Sequence, residues 1–551
     1  MATKYSFLGK TISGPFTIPS GIVTTNAKII EKIANEIPEI GVLTTKSIGP
    51  EKKLGNREPI ITQYAPGCFV NAVGLTNPGA EEAAKQLAEI KPKLPKDRFL
   101  LVSIFGANAD DFVKVTKILE PYADALELNL SCPHAKGYGM AIGQDPLMVK
   151  EIVMAVKKAV KVPVVPKLTP NTEKIGEIAK AAVEGGADAI CAINTVGPGY
   201  YTHDGLPILT NKKGGMSGRG VLAIGLKCVK EISDAVGQKV PIIGCGGISC
   251  AQDATEYNKA GASILGVGSA LAGMDSEEMK KYFAALAKDM EKRTNKAERL
   301  LKKIDMNFGK YKLVEKQVLA DDLAILTFDK NIKIKPGQFV FAWIPEVGEK
   351  PFSVLDNNPL KMFIQKRGCL TEKLLGLEKG AEVYFRGPYG KEVKLGKNEK
   401  AILVGGGCGI AALYQFAKEL DSKNTEAFFG ARDKQHLFYI DELKKCATVH
   451  LSTNDGSEGQ KGFVTDILEK RLREIDSASK GKDKLVFFNC GPEPMINAVL
   501  KIEEKYASKE NIYCAIDYVT KCGIGVCGAC ASKSGKRICV DGPFINRKEV
   551  E

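Results

Sequence analysis

The feature that most constrains the fold is a series of short apolar, β-branched runs that recurs through residues 18–270. Each run is long enough for one strand and apolar enough to be buried on both faces, which is typical of parallel sheets. The runs are IPSGI (18–22), GVLTTKS (41–47), LLVSIFG (100–106), ALELNLS (125–131), VPVVPKLT (162–169), DAICAINT (188–195), VPIIGCGG (240–247) and SILGVGSA (263–270). Amphipathic stretches of helical length, such as residues 146–160 and 172–185, separate most of them. Eight strand–helix units predict a closed (β/α)8 TIM barrel, in which chemistry takes place at the carboxyl ends of the strands.

The pattern changes after a charged helix predicted over residues 276–303. Residues 308–395 alternate short strands with turns, which predicts a small antiparallel β-barrel, and from residue 400 a strand–helix rhythm returns. The last residues are rich in glycine and cysteine and contain little that could form a core. We therefore predict an α/β protein with four domains, which are residues 1–303, 304–396, 397–512 and 513–551.

Composition limits the class of protein. The 551 residues carry a net charge of +13, with 44% hydrophobic and 26% charged residues, which is ordinary for packed protein and excludes a largely disordered chain. The basic excess is spread over the whole length, so we expect no nucleic-acid partner. No apolar stretch is long enough to span a membrane, and the amino terminus lacks an apolar signal core. We expect a cytoplasmic protein whose 15 cysteines are reduced thiols, metal ligands or catalytic groups.

A thiol follows the fourth predicted strand, in the segment ELNLSCPH (127–134). Pro133 forces the chain out of the strand, so Cys132 is expected on the loop above the barrel mouth. A cysteine pKa of about 8.5 lies within reach of neutral pH, so this thiol can act as a nucleophile or a general base. The alternative is a small buried hydrophobic residue.

Polar residues occupy the ends of several other barrel strands. Asn71, Asn129 and the pair 194–195 offer amides or a hydroxyl at positions where the loops converge, and paired amides suit a planar ring with alternating C=O and N–H groups. Lys46 and Lys167 add positive charge there, unless they are ordinary surface lysines. Glycine pairs in GCGGIS (244–249) and GVGSA (266–270) follow the last two strands, where such barrels hold a phosphate through backbone N–H groups.

The carboxyl-terminal segment CGIGVCGAC…C has the spacing C-x4-C-x2-C-x8-C. Four thiolates at this spacing in a glycine-rich loop are typical of a [2Fe–2S] cluster, whereas zinc sites favour two separated C-x2-C hairpins. The predicted ligands are Cys522, Cys527, Cys530 and Cys539.

Upstream, GGGCGIA (405–411) lies between a strand and a helix and matches a nucleotide-phosphate turn, although it is not a strict G-x-G-x-x-G. CGPEPM (490–495) and KPFSV (350–354) belong to the same region of the chain.

Six segments, in their order along the chain, resemble the dihydroorotate dehydrogenases, with the cysteine base of class 1 rather than the serine of class 2. These segments are PSG, TTKSIGP, NAVGLTNPG, ELNLSCP, GGMSGRG and GCGGIS. The resemblance implies FMN over the barrel mouth. It also implies that Cys132 removes the C5 proton of dihydroorotate while the C6 hydrogen leaves as hydride. The implied FMN contacts are Ser20, Gly21, Lys46, Asn129, Lys167, Gly218, Gly246, Gly247, Gly268 and Ser269. The implied substrate contacts are Lys46, Asn71, Gly74, Leu75, Asn129, His134, Asn194 and Thr195.

One position departs from that family. His134 stands where asparagine is usual, and SCPH followed by GYGMAIGQDP is similar to dihydropyrimidine dehydrogenase, which acts on uncharged bases. That relative has an acidic residue at the position of Val73, so a carboxylate-bearing substrate remains favoured here, and a partly cationic His134 would assist it.

Three turns together resemble the ferredoxin-reductase superfamily, in which a small barrel binds FAD and the next domain binds NAD(P). They lie at 350–354, 405–411 and 490–495. Lys350 stands where arginine is usual and cannot form a bidentate contact with a pyrophosphate. Arg432 in GAR is expected near the dinucleotide. The implied FAD and NAD contacts are Lys350, Pro351, Phe352, Ser353, Gly368, Cys369, Leu370, Thr371, Gly405, Gly406, Gly407, Gly409, Cys490 and Gly491.

The whole order of domains resembles class 1B dihydroorotate dehydrogenase, with the catalytic and the electron-transfer subunit on one chain. The resemblance implies oxidation of dihydroorotate to orotate in pyrimidine biosynthesis, with electrons passing from FMN through the [2Fe–2S] cluster and FAD to NAD+, in a homodimer formed through the barrels. The alternatives are an NAD(P)H-dependent dihydropyrimidine dehydrogenase and a flavoprotein electron-transfer module for a ferredoxin. The direction of the reaction and the choice between NAD and NADP stay open.

Overall fold

The computed structural model describes residues 5–130, 140–396, 399–420, 424–479, 484–516 and 519–550. The chain forms two compact units. The first is Met1–Met306 with Ile524–Gly535, and the second is Asn307–Gly523 with Lys536–Glu551. Among the described residues, no helix combines the length and the apolar character needed to cross a bilayer.

The first unit is built on alternating strands and helices. In chain order its strands are β1 (Tyr5–Phe7), β2 (Lys10–Ile12), β3 (Phe16–Thr17), β4 (Ile40–Thr44), β5 (Ile61–Ala65), β6 (Cys68–Asn71), β7 (Phe99–Ile104), β8 (Ala125–Asn129), β9 (Val164–Lys167), β10 (Ile190–Ala192), β11 (Val196–Tyr200), β12 (Thr202–His203), β13 (Leu206–Pro207), β14 (Lys213–Gly218), β15 (Ile242–Cys245) and β16 (Ile264–Gly266). Its helices are α1 (Ala27–Glu36), α2 (Ala80–Ile90), α3 (Ala109–Leu119), α4 (Met140–Gln144), α5 (Pro146–Ala159), α6 (Ile175–Glu184), α7 (Leu222–Val236), α8 (Ala251–Ala260), α9 (Ser276–Lys292) and α10 (Lys296–Arg299).

Eight of these strands close into a parallel barrel in the order β3-β4-β7-β8-β9-β10-β15-β16, which confirms the predicted TIM barrel. Strands such as β4, β7 and β8 are buried along their whole length because the barrel interior covers one face and the helices cover the other. A second sheet, β11-β14-β6-β5, is antiparallel and was not predicted.

Two predicted elements of this unit were misplaced. The first barrel strand is Phe16–Thr17 and not residues 18–22, which form the loop that follows it. Pro19 in that loop has no backbone N–H to donate to a neighbouring strand. The helix predicted over residues 276–303 ends at Lys292, because Arg293 adopts a left-handed conformation with φ of 54°, and the short α10 follows.

The second unit contains two sheets and helices of 4 to 16 residues. Its strands are β17 (Gly309–Ala320), β18 (Leu323–Phe328), β19 (Phe339–Ile344), β20 (Gly348–Phe352), β21 (Asp356–Asn357), β22 (Leu360–Gln365), β23 (Glu382–Tyr389), β24 (Glu399–Gly406), β25 (Thr425–Ala431), β26 (Thr448–Thr453), β27 (Gln460–Lys461), β28 (Lys484–Cys490), β29 (Ile512–Ala515) and β30 (Phe544–Asn546). Its helices are α11 (Cys369–Leu375), α12 (Ile410–Glu419), α13 (Ile440–Lys444), α14 (Val464–Ser479), α15 (Glu493–Glu503), α16 (Ile538–Asp541) and α17 (Arg547–Val550).

The second unit has one antiparallel and one mainly parallel sheet, in the order along the chain that the sequence predicts. One is antiparallel, in the order β20-β19-β23-β17-β18-β22-β21. The other has the order β27-β26-β25-β24-β28-β29-β30 and is parallel except for β30. In the second sheet β24 and β28 lie side by side, so the glycine turn after β24 and the CGP turn after β28 share one edge.

Candidate active site

A cavity of about 180 Å3 opens at the carboxyl ends of the barrel strands. It gathers almost all of the predicted barrel-site residues from loops that are far apart in sequence. The predicted residues that line it are Ser20, Gly21, Lys46, Asn71, Gly74, Leu75, Asn129, Lys167, Asn194, Thr195, Gly218, Gly246, Gly247, Gly268 and Ser269. Cys132 and His134 lie outside the described residues, so their predicted roles stay predictions.

Two asparagine side chains meet in this cavity. The Asn194 Nδ2 donates to Asn129 Oδ1 at 3.3 Å, and the Asn129 Nδ2 donates to Ser47 Oγ at 2.9 Å. The backbone N–H of Thr195 donates to Asn194 Oδ1 at 2.8 Å. These contacts orient both amides, which is what recognition of a ring with defined donors and acceptors requires.

Lys167 is 3% exposed and its Nζ lies 3.8 Å from Oε1 of Glu127, which is also buried. Burial alone would lower the pKa of Lys167, but the charge of Glu127 raises it above the ordinary lysine value. Lys167 is therefore cationic at neutral pH, and the Glu127 carboxylate is its counter-charge.

The cavity wall at β15 and β16 is made of backbone, as a phosphate site requires. Gly247 has a φ of 83°, and a Cβ added to it would lie 2.9 Å from the carbonyl oxygen of Gly218. Only glycine fits such a position without strain. The Ser269 Oγ lies 3.1 Å from the Ser217 Oγ beside it. This cradle, together with the cationic lysines, fits the phosphate and the polar ring edge of a flavin mononucleotide.

The second unit has its own cavity, of about 970 Å3, between the antiparallel sheet and the glycine turn after β24. It is within the size range of small-molecule sites. The predicted nucleotide contacts that line it are Pro351, Phe352, Ser353, Gly406, Gly407, Gly409, Cys490, Gly491 and Arg432. A Cβ added to Gly409 would lie 2.0 Å from the carbonyl oxygen of Cys490, so the two turns are in contact. This edge, with α12 starting at Ile410, fits the phosphates of a dinucleotide.

Other predicted nucleotide contacts lie elsewhere. Leu370 is buried in the core of the antiparallel domain, and the Thr371 hydroxyl accepts from the backbone N–H of Arg367 at 2.8 Å at the start of α11. The remaining predicted contacts, which do not line the cavity, are Lys350, Gly368, Cys369 and Gly405. Arg367 does line it, and no motif pointed to this residue.

The four predicted cluster ligands are all buried. Among the described residues, no three or more histidine, cysteine, aspartate or glutamate side chains are grouped so that they could hold a metal ion. The four-thiolate donor set suits iron and sulfide, and its assignment rests on the spacing.

A buried ion pair supports the first of these ligands. The Arg386 guanidinium donates to both carboxylate oxygens of Glu349, at 2.9 Å from Nη2 to Oε2, and to the Cys522 carbonyl oxygen from Nη1 at 3.2 Å. Its carbon atom lies 4.2 Å from the centre of the Phe341 ring. Arg386 and Glu349 are at most 2% exposed.

Sequence reasoning missed Glu127, Glu349 and Arg386. For Glu127 and Arg386 the signal was a charged residue among apolar strand residues, since an isolated charge is too costly to bury without a partner. Their partners, however, are distant in the chain and could not be chosen from the sequence.

A closed α/β barrel with amides and lysines at its carboxyl end, joined to a unit with a nucleotide-type glycine turn, defines the class as a multidomain oxidoreductase. Comparison with known families identifies the class further. The family model described as Dihydroorotate dehydrogenase matches residues 2–290, which is more than half of the chain. The chain therefore belongs to the dihydroorotate dehydrogenase family. Models described as Oxidoreductase NAD-binding domain and as Iron-sulfur cluster binding domain of dihydroorotate dehydrogenase B match residues 403–501 and 519–551.

Curated relatives agree with this assignment. The catalytic subunit of dihydroorotate dehydrogenase B (NAD(+)) from Methanocaldococcus jannaschii is 42% identical over 268 residues, which are 48% of this chain and 86% of the relative. The subunit of the same name from Pyrococcus horikoshii is 42% identical, over 49% of this chain and 86% of the relative. The one from Methanocella arvoryzae is 43% identical, over 48% of this chain and 85% of the relative. These relatives match about half of the chain.

Proposed function

We propose that this chain oxidises dihydroorotate to orotate with NAD+ as the final acceptor, as a step of pyrimidine biosynthesis. The observation that carries the proposal is the cavity in which Asn129, Asn194 and Lys167 converge, inside the region that matches the family. The second unit, with its glycine turn and its match to an NAD-binding domain, supports the choice of acceptor. The four domain boundaries predicted above are part of the same proposal.

The barrel residues have distinct tasks in this proposal. The amides of Asn71, Asn129 and Asn194 bind the ring carbonyl and N–H groups of dihydroorotate, and Lys46 binds its carboxylate. Lys167 would hold a positive charge near FMN, and the glycine cradle would hold the FMN phosphate. Cys132 takes the proton from C5.

When bound, FMN, the [2Fe–2S] cluster and FAD would supply hydride and single-electron transfer, in that order, towards NAD+. The chain's own contribution is to hold these groups. Four buried thiolates would bind the cluster, and the cavity of the second unit would bind FAD and NAD. We propose that two chains pair through their barrels, as in class 1 relatives.

Substrate preference tests the activity. The purified protein is expected to reduce NAD+ with dihydroorotate faster than with dihydrouracil, because the cavity contains Lys46 while Val73 leaves no acidic side chain at that position to repel a carboxylate. A preference for dihydrouracil would instead indicate a dihydropyrimidine dehydrogenase, as the SCPH segment allows.

The Cys132→Ala variant tests the base. It is expected to lose dihydroorotate oxidation while retaining FMN. Oxidation at the wild-type rate would show that Cys132 does not take the proton.

Extraction of the protein is expected to give equal amounts of FMN and FAD and two irons for each chain.

A further inference from the structure

A chain of buried polar side chains runs beneath the barrel cavity, from Glu127 to the amide pair. The Ser103 Oγ lies 2.7 Å from Glu127 Oε1 and 2.9 Å from the Ser47 Oγ. The Ser47 Oγ in turn lies 2.9 Å from both Asn129 Nδ2 and the Ser20 Oγ. Glu127, Ser103 and Ser47 are at most 3% exposed, so water does not compete for these hydrogen bonds.

The Glu127 carboxylate sets the direction of the hydrogen bonds between these buried polar side chains. An ionised carboxylate only accepts, so the Ser103 hydroxyl must donate to Glu127. The Ser47 hydroxyl then has to donate to Ser103, which leaves its lone pairs as acceptors. It therefore accepts from the Ser20 hydroxyl and from the amide N–H of Asn129.

This polarity determines what the amide pair offers to a ligand. Because Asn129 must turn its NH2 group towards Ser47, its carbonyl oxygen faces the Asn194 Nδ2. Reversal of Asn129 would place a carbonyl against the Ser47 oxygen and an NH2 group against the Asn194 NH2 group. A flipped amide would exchange the positions of its donor and its acceptor, so it would no longer match the donors and acceptors of the ligand.

The same carboxylate also faces Lys167, at 3.8 Å from Nζ. Cys191 and Cys245 are packed around this pair, and both thiols are buried. Glu127 thus has two separable effects. Its charge balances Lys167 beside the proposed flavin site, and its acceptor capacity orients the serine relay.

We propose that Glu127, through Ser103 and Ser47, is a positioning residue that sets the hydrogen-bond polarity of Asn129 and Asn194 for substrate recognition. The proposal rests on the proposed function, because it takes the amide pair to bind the pyrimidine ring. It adds that the buried Glu127 carboxylate both balances the charge of Lys167 near the proposed flavin site and orients the amides that recognise the substrate.

The Ser103→Ala variant separates these two effects, because it breaks the relay and leaves the charges of Glu127 and Lys167 in place. Its dissociation constant for orotate, measured by titration of the flavin absorbance of the FMN-loaded protein, is expected to rise about tenfold. Its FMN content and its flavin midpoint potential are expected to equal those of the wild type. Ser103→Thr retains a hydroxyl and should restore orotate binding.

The Glu127→Gln variant removes the charge instead. It leaves Lys167 without its counter-charge, so the reduction equilibrium of FMN is expected to shift at least tenfold towards the reduced form, which is about 30 mV for a two-electron couple. Thr116→Val is the matched control, since it removes a buried hydroxyl on α3 that has no hydrogen-bond partner among the described residues. It should change neither quantity.

Orotate affinity of Ser103→Ala equal to that of the wild type and of Thr116→Val would overturn the relay. A flavin potential that shifts equally in Ser103→Ala and Glu127→Gln would overturn the separation of the two effects. If Ser103→Ala does not fold, a Glu127→Gln variant with unchanged orotate affinity and unchanged potential overturns the proposal as well. A wild-type protein that binds no orotate contradicts the proposed function itself, which distinguishes the two failures.

Discussion

The buried ion pair between Arg386 and Glu349 allows a sharp test of what holds the antiparallel domain together. The perturbation is Glu349→Gln, which retains the shape of the side chain and removes its charge. The Arg386 guanidinium then keeps its contacts with Tyr389, at 2.8 Å from Nη1 to the hydroxyl, and with the Cys522 carbonyl, but it loses its only anionic partner in that hydrogen-bonded set.

The expected loss of stability in Glu349→Gln is large because both partners of the ion pair are buried. Removal of one partner of a fully buried ion pair leaves an uncompensated charge and costs about 3–5 kcal/mol. The contact of Arg386 with the Phe341 ring is present before and after the substitution, so it does not offset this cost. We therefore expect the free energy of unfolding of this domain to fall by about 3–5 kcal/mol.

The assay uses the only tryptophan of the chain. Trp343 lies on β19, is 1% exposed and packs on Phe308 and Tyr384, so its fluorescence reports the unfolding of the antiparallel domain. For a urea dependence of about 3 kcal/mol per M, the midpoint of the fluorescence transition should fall by about 1–1.7 M.

Glu382→Gln on strand β23 is the matched control. Glu382 forms an exposed pair with Lys310, at 3.2 Å from Oε2 to Nζ, and surface pairs contribute at most about 1 kcal/mol. A midpoint for Glu349→Gln that matches this control would refute the reasoning, because the buried pair would then contribute no more than a surface one. Recovery of stability in a double variant with methionine at 349 and 386 would support it further.

Two more predictions concern single residues in each unit. Burial raises the pKa of Glu503 well above its ordinary value. The carboxyl of the native protein therefore keeps its proton at a pH at which the unfolded chain, with a pKa of about 4.3, has already released it. Because of this difference, the native state loses stability as the pH rises above about 4.3. Glu503→Gln should therefore be more stable than the wild type by about 1–3 kcal/mol at about pH 8, and the difference should disappear towards about pH 4, as measured by urea denaturation; a constant difference would contradict this. Gly247→Ala should lose FMN, as measured by the ratio of flavin to protein, because its Cβ would clash with the Gly218 carbonyl. Gly237→Ala is its control, with a φ of 76° but open space, and should retain FMN.

The sequence predicted the barrel because its signal is local. Each buried strand is a continuous apolar run, as in β7 and β8, and the residues at the strand ends are then brought together by the topology of the barrel. This is why residues as distant as Lys46 and Thr195 were predicted for one cavity, and the structure places both there.

The part that could not be predicted depends on which way side chains point and on partners that are distant in sequence. Ser47 and Ser103 are ordinary residues at the ends of apolar runs, and only the register of β7 and β8 shows that Ser103 lies opposite Glu127. Arg386 lies on β23 and its partner Glu349 on β20, which are joined through β19. The first barrel strand was misplaced because IPSGI reads as an apolar run although Pro19 interrupts the pairing.

In the proposed function, the barrel oxidises dihydroorotate, and a cluster held by the four cysteines passes the electrons on towards NAD+. Anaerobic mixing with dihydroorotate, in the wild type and in Cys522→Ser, tests it most directly. We predict that the wild type bleaches the absorbance of both flavins and forms NADH when NAD+ is added. Cys522→Ser should bleach only the FMN share and form no NADH. Wild-type NADH formation by Cys522→Ser, or no bleaching of the wild type by dihydroorotate, would contradict the account.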